Sequence, residues 1–244
     1  MLKVEFIEAV TQGQSVAPLY FSFSGSRNKE DRPLLDETVS PTPLSLNEVL
    51  QAMARGAKVL DTRDIAEFQV GHLKNSINVP VAGRFAEFVG EVIRCDSDIV
   101  LVCASGTEHE ARVRLARIGF DRVIGTLSNT LQTFHANPHL VDRSSRLTAS
   151  EFNERRHSVS NLQIVDVRMP SETELGFVPG AKLLPLPQLI TQLDNLDKDE
   201  PIVVYCQSGV RSSIAASALR SEGFADVSDV IGGFEAIGPL QYVV

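Results

Sequence analysis

Ile202-Val203-Val204-Tyr205-Cys206-Gln207-Ser208-Gly209-Val210-Arg211-Ser212-Ser213 runs from an apolar segment into a cysteine and reopens as small residues. Ile202 to Tyr205, preceded by Pro201, has the length and β-branched character of a buried strand in a parallel sheet. Ser213 to Leu219 is Ala-rich and ends on Leu, in the manner of a helix. Cys206 therefore stands at the turn between them. Backbone N–H groups are unpaired at a helix start and the helix dipole favours negative charge there, so a thiolate at this turn is expected to be stabilised. Gly209 lets the loop curl without a Cβ in the way, and Arg211 adds a fixed positive charge, so the loop can close as a ring of amides around one sulfur. Ser212 and Ser213 can cap the helix or offer hydroxyls to the sulfur. A buried structural cysteine is the plain alternative, since free Cys is among the most buried residue types. Strand, loop, Gly, Arg and helix in this order favour a reactive thiol.

The same pattern occurs earlier in the chain. Ile99 to Val102 is a second apolar strand ending at a cysteine, and Cys103-Ala104-Ser105-Gly106-Thr107-Glu108-His109 keeps the Cys and Gly but places Glu108 where Arg211 stands. A carboxylate there repels a thiolate or an anionic ligand, so Cys103 is expected to be a relic or a weakly reactive thiol. Asp61 aligns with Asp166, Arg63 with Arg168, Glu67 with Glu172, Gly71 with Gly176 and Gly119-Phe120 with Gly223-Phe224, every pair lying 103 to 105 positions apart. The spacing is that of a domain duplication. Each unit strings apolar strands between amphipathic helices, which predicts an α/β fold, a mostly parallel sheet flanked by helices on both faces. In such sheets ligands gather at the carboxyl ends of strands, where Cys103 and Cys206 both fall. We expect a first domain over 41–139, a second over 140–244, and a polar linker from Asn137 to Arg146. Ser45 and Glu48 have the capping-box spacing of a helix start. Asp61, Arg63, Glu67 and His72 are read as a charge network that holds loops in place.

The chain has 244 residues, 43% of them hydrophobic and 22% charged, which suits one large or two small globular domains. A net charge of -8 argues against a nucleic-acid surface or an anionic membrane as partner. The start, Met1 to Ala9, lacks the basic head and long apolar core of a signal peptide, and no apolar run approaches a membrane span, so a cytoplasmic location is expected. Three cysteines, Cys95, Cys103 and Cys206, argue for reduced thiols over a disulfide framework. The five histidines show no ligand spacing, so no metal site and no cofactor are expected. Residues 1–40, with Gln12 to Ser15 and Phe21 to Lys29, read as a polar, loop-like extension whose apolar side chains can pack on a neighbouring domain.

The order Cys-x-x-Gly-x-Arg-Ser after a Val-rich strand, met by Cys206, Gly209, Arg211 and Ser212, resembles the active loop of the rhodanese family of sulfurtransferases. Asp61-Thr62-Arg63, Glu67 to Leu73 and Ile77 to Pro80 are similar to that family's first signature. The resemblance implies tandem rhodanese-like domains, the first inactive and the second catalytic. It implies that Cys206 takes a sulfane sulfur from a small anionic donor such as thiosulfate, a persulfide or a polysulfide. The loop of Gln207, Ser208, Gly209, Val210, Arg211 and Ser212 would cradle the resulting persulfide, and a thiol or cyanide would accept the sulfur. Phosphatases and arsenate reductases of the same fold have a loop one residue longer, with Arg six positions after Cys; here that position is Ser212. Tyr20-Phe21, Asn28 and Pro33-Leu34-Leu35 resemble the segment joining a metallo-β-lactamase domain to tandem rhodanese domains in fused sulfur enzymes. That resemblance implies a metallo-β-lactamase-fold persulfide enzyme as partner, and, as the rival to catalysis, a non-catalytic interaction module that docks on it.

Overall fold

Two five-stranded parallel sheets carry the chain, and their strands follow one order. The computed structural model describes residues 2–11, 18, 20–27, 29–31 and 35–238. From edge to edge the first sheet runs Pro43–Leu44, Val123–Leu127, Ile99–Val102, Lys58–Asp61, Ile77–Asn78. The second runs Ser145–Leu147, Val227–Val230, Ile202–Tyr205, Gln163–Asp166, Lys182–Leu183. The strand that ends at a cysteine is central in both, with Val203 opposite Ser228 on one side and Ile164 on the other. Ile202, Val203, Val204 and Tyr205 are all buried, as expected of a strand covered on both faces.

The helix Val210–Ser221 explains its own composition. Ser212 through Leu219 are buried without a break, so the helix has no solvent face. One side covers its own sheet. The other receives the first domain's edge strand Ile77–Asn78 and the helix Phe85–Val92, and the latter also packs on Leu186–Leu189. Ala215, Ala216 and Ala218 allow this close approach, and the buried Ser217 hydroxyl accepts the Asn78 N–H at 2.9 Å. Lys58 and Glu222 form an ion pair of 2.7 Å across the same boundary. Apolar residues of both domains, Leu60 and Val89 with Ile214 and Val204, consequently belong to one continuous core.

One expectation is corrected. The N-terminal extension contains helices, Lys3–Thr11 and Tyr20–Arg27, in place of a loop-like passage. The second is held by tertiary contacts that override its polar composition. The Tyr20 ring lies where a Cβ at Gly90 would stand, Ser24 donates to the Ile118 carbonyl at 2.7 Å, and Arg27 pairs with Asp121 at 2.7 Å. Asn28, Pro33 and Leu34 of the fusion-like motif, and Gln12 to Ser15, lie outside the described residues. The segment Asn137 to Arg146 joins the two sheets, as expected of the linker, and is itself structured. Val141–Asp142 pairs antiparallel with His72–Leu73, and Ser145–Leu147 is the edge strand of the second sheet. Several of its polar side chains turn inward, Arg146 pairing with the buried Asp229 at 2.9 Å and Ser145 Oγ lying 2.7 Å from Ser228 Oγ. The Ser45–Glu48 capping box is formed, and a second, Thr148 with Glu151, opens the helix Ala149–Ser158. Among the described residues no helix is long and apolar enough to cross a membrane.

Replacing Ser217 with Leu should lower the unfolding free energy by about 1–3 kcal/mol, because it overpacks this helix contact and strips the Asn78 N–H of its acceptor. Urea denaturation measures the loss; no change would show that the helix is not clamped between the domains.

Candidate active site

The strand Ile202–Tyr205 delivers Cys206 to the carboxyl edge of the second sheet, with 1% of the residue exposed. Its Sγ accepts the Gly209 N–H at 3.1 Å and lies 3.5 Å from Ser212 Oγ, which accepts from the thiol. Of the amides expected to ring the sulfur, Gly209 is the one whose hydrogen bond forms among the described residues. Gly209 turns the chain at φ 96°, a left-handed conformation, and a Cβ there would crowd the Gly232 nitrogen and the Val230 carbonyl. The loop backbone is tied to the closing helix Gly233–Ile237. Phe234 N–H donates to the Cys206 carbonyl at 2.7 Å and Glu235 N–H to the Gln207 carbonyl at 3.1 Å. Gly233 permits this approach, since a Cβ there would overlap the Cys206 carbonyl.

Arg211 is held by a residue that sequence inspection set aside. Its Nη1 and Nη2 donate to Glu172 Oε2 and Oε1 at 2.7 and 2.6 Å, a bidentate pair. Glu172 also accepts the Met169 N–H at 2.9 Å. Hydrogen bonding to Arg211 holds the Glu172 carboxyl below its ordinary range, and Glu172, with Cys206 and Glu91 behind it, holds Arg211 above its own. The signal for Glu172 lay in the repeat, because it aligns with Glu67, yet the alignment named no partner. Ser208 and Val210 are exposed at the loop mouth. The Gln207 side chain turns away, accepting from Arg168 Nη1 at 3.3 Å and donating to Glu235 at 3.2 Å.

The first domain repeats the scaffold without these charges. Gly106 keeps the left-handed turn of the loop at φ 87°. Glu67 and Glu108 occupy the positions of Glu172 and Arg211, so two carboxylates replace an ion pair. A cavity of about 810 Å³ opens over this loop, lined by Arg63, Glu67, Cys103, Glu108, His109 and Asn129 among others. Volume alone supplies no thiolate. Burial pushes the Cys103 thiol up to about 11, with Glu108 adding to the rise and hydrogen bonds to Thr62 and Thr126 opposing it. Asp61 and Arg63 form a buried pair of 2.5 Å, matched by Asp166 and Arg168 at 2.7 Å. His72 stacks on Phe68 at 3.7 Å and shares a 2.8 Å hydrogen bond with the Phe68 carbonyl, while burial lowers its pKa to about 4. These groups brace backbone, Arg63 and Arg168 reaching the carbonyls of Gly71 and Gly176. All three cysteines are free, and among the described residues no three His, Cys, Asp or Glu side chains converge as a metal set.

The family model for the rhodanese-like domain matches residues 45–137 and again 148–238, so this chain belongs to the rhodanese-like domain family, with two copies in tandem. An uncharacterised protein of Bacillus subtilis, YqhL, is 39% identical over 92 residues, covering 38% of this chain and 71% of that one. A protein named sulfurtransferase from Allochromatium vinosum is 29% identical over 92 residues, covering 38% of this chain and 86% of its own length. Among solved structures, a rhodanese-like domain protein from Staphylococcus aureus is 32% identical, with a TM-score of 0.39, covering 41% of this chain and 97% of that one.

At neutral pH the Cys103 thiol should stay protonated, because its acid lies near 11, four orders of magnitude below half ionisation being about the expected thiolate fraction at pH 7. Alkylation by iodoacetamide, mapped by peptide mass, is expected to be slow at Cys103 until the solution becomes strongly alkaline. Rapid labelling at neutral pH would contradict this.

Proposed function

We propose that the chain is a sulfurtransferase that carries a sulfane sulfur on Cys206, taking it from thiosulfate, a persulfide or a polysulfide and giving it to a thiol or cyanide. One observation carries the reading: a buried sulfur at a strand end, with an amide aimed at it and a guanidinium fixed by two hydrogen bonds on the turn that follows. Membership of the rhodanese-like family and similarity to the Allochromatium sulfurtransferase support sulfur transfer as the class of chemistry. With thiosulfate, the Cys206 thiolate attacks the outer sulfur, the donor S–S bond breaks, and sulfite leaves with the electron pair. The Gly209 amide and Arg211 stabilise the anionic persulfide left behind. An acceptor thiolate then attacks the outer sulfur and Cys206 departs as a thiolate, so no external oxidant or reductant is needed. The loop residues Ser208, Val210 and Ser212 form the donor's surroundings, with Gln207 bracing the turn. We place this chemistry in the cytoplasm, where the three free thiols stay reduced.

Intact mass after incubation with thiosulfate or glutathione persulfide tests the reading. The wild type is expected to gain one sulfur atom, Cys206→Ser none, and Cys103→Ser the same as wild type. No adduct from any donor would overturn the carrier role and leave a docking module for a metallo-β-lactamase-fold partner as the better account. Arg211→Ala should slow loading from thiosulfate about 10–100-fold, the scale of losing a charge-assisted hydrogen bond, when the rate is followed by mass. An undiminished rate would remove Arg211 from the site.

A further inference from the structure

The cavity of the first domain is lined by two carboxylates at the positions where the second domain holds an ion pair. The equivalence is one of backbone as well as of sequence offset. Asp61 lies opposite Val102, the residue before Cys103, as Asp166 lies opposite Tyr205, the residue before Cys206. Glu67 accepts the Asp64 N–H at 3.3 Å at the start of the helix Ile65–Val70, as Glu172 accepts the Met169 N–H at 2.9 Å at the start of Pro170–Thr173. Gly106 and Gly209 turn their loops at φ 87° and 96°, and Glu108 and Arg211 follow them at the same step on the next helix. Both oxygens of Glu172 accept from the Arg211 guanidinium. On the same frame, Glu67 and Glu108 make no ion pair among the described residues.

We propose that the first-domain cavity binds a guanidinium supplied from outside the chain, Glu67 and Glu108 accepting its N–H groups where the second domain closes the same space with its own Arg211. The ligand is an arginine side chain or a compound built like one. Two like charges over one opening favour a cation, and the fork of a guanidinium is the shape that the equivalent Glu172 is seen to hold. Arg63 also lines the cavity, but its own guanidinium donates to Asp61 and to the Gly71 carbonyl, so its charge is already matched. Cys103 and His109 are the remaining titratable groups of the lining. A volume of about 810 Å³ holds more than a bare ion, and Pro41 with the exposed Leu131 offers apolar surface to an alkyl stem. The site is separate from Cys206 and stands whether or not Cys206 carries sulfur.

Calorimetric titration in mildly alkaline, low-salt buffer tests this, with N-acetyl-arginine amide as probe and N-acetyl-citrulline amide as its uncharged isostere. The arginine probe is expected to bind about 10–100-fold more tightly than the citrulline probe, the scale of charge-assisted hydrogen bonds. Glu67→Gln and Glu108→Gln should each weaken the arginine probe by a similar factor. Glu108→Arg is the sharper variant: it rebuilds the second domain's ion pair with Glu67, fills the cavity from within, and should abolish binding while melting no lower than wild type. Cys206→Ser should bind the probe as wild type does. The source of the group is read from a third probe, N-acetyl-Gly-Arg-Gly amide. Tighter binding than the single residue assigns a peptide or protein arginine, and equal or weaker binding a free guanidino compound. Arginine and citrulline probes that bind alike, no heat from either, or binding retained in full by Glu108→Arg overturns the proposal, and a loss in Cys206→Ser would place the probe in the second domain and overturn it too.

Discussion

The structure depends on burying one helix from two sides. Val210–Ser221 covers the second sheet and is itself covered by the first domain, so the residue types tolerated along it are small or closely fitted. A helix with a free face would have carried a polar stripe; here Ser212, Ser213 and Ser217 are buried, Ser217 accepting the Asn78 N–H across the boundary and Ser212 accepting from the Cys206 thiol. The same burial fixes the functional loop. Cys206 sits at the amino end of this helix, and Arg211 is on its first turn, so any rocking of the helix would move both relative to Glu172. Packing against the first domain therefore stabilises the geometry at Cys206 as well as the fold.

Much of this was legible in the sequence, for reasons that differ by element. The strand Ile202–Tyr205 and its counterpart Ile99–Val102 announced themselves because buried parallel strands are continuous apolar runs. The duplication was legible because seven aligned positions keep nearly one offset. The capping box at Ser45 was local chemistry and formed as read. What escaped was long-range. Glu172 is 39 residues from Arg211, and a bidentate pair at that separation leaves no local pattern. The helix Tyr20–Arg27 was read as loop because its Ser and Gly content is poor in helix propensity, yet Tyr20 against Gly90 and Arg27 against Asp121 supply what propensity lacks. The linker from Asn137 to Arg146 was legible by position, but its short strands were not, since an edge strand can be polar in its side chains.

The two loops together separate what the fold supplies from what the chemistry requires. Both have a central strand, a terminal cysteine and a glycine at left-handed φ, and both are braced behind by an Asp–Arg pair whose guanidinium reaches a glycine carbonyl. Those features are set by backbone geometry and survive in either copy. The difference lies in two side chains. Glu172 with Arg211 gives the second loop a cation whose charge and direction are fixed; Glu67 with Glu108 gives the first loop two anions and a thiol held protonated by burial and by the adjacent carboxylate. The first loop keeps an open cavity beside its poorer electrostatics, so shape persisted where charge did not. A domain without that cation still acts on its neighbour, because the helix Phe85–Val92 and the strand Ile77–Asn78 pack on the helix that carries Arg211. On that argument the first domain's contribution to the Cys206 loop is read in the packing it brings across the boundary, not in its own cysteine.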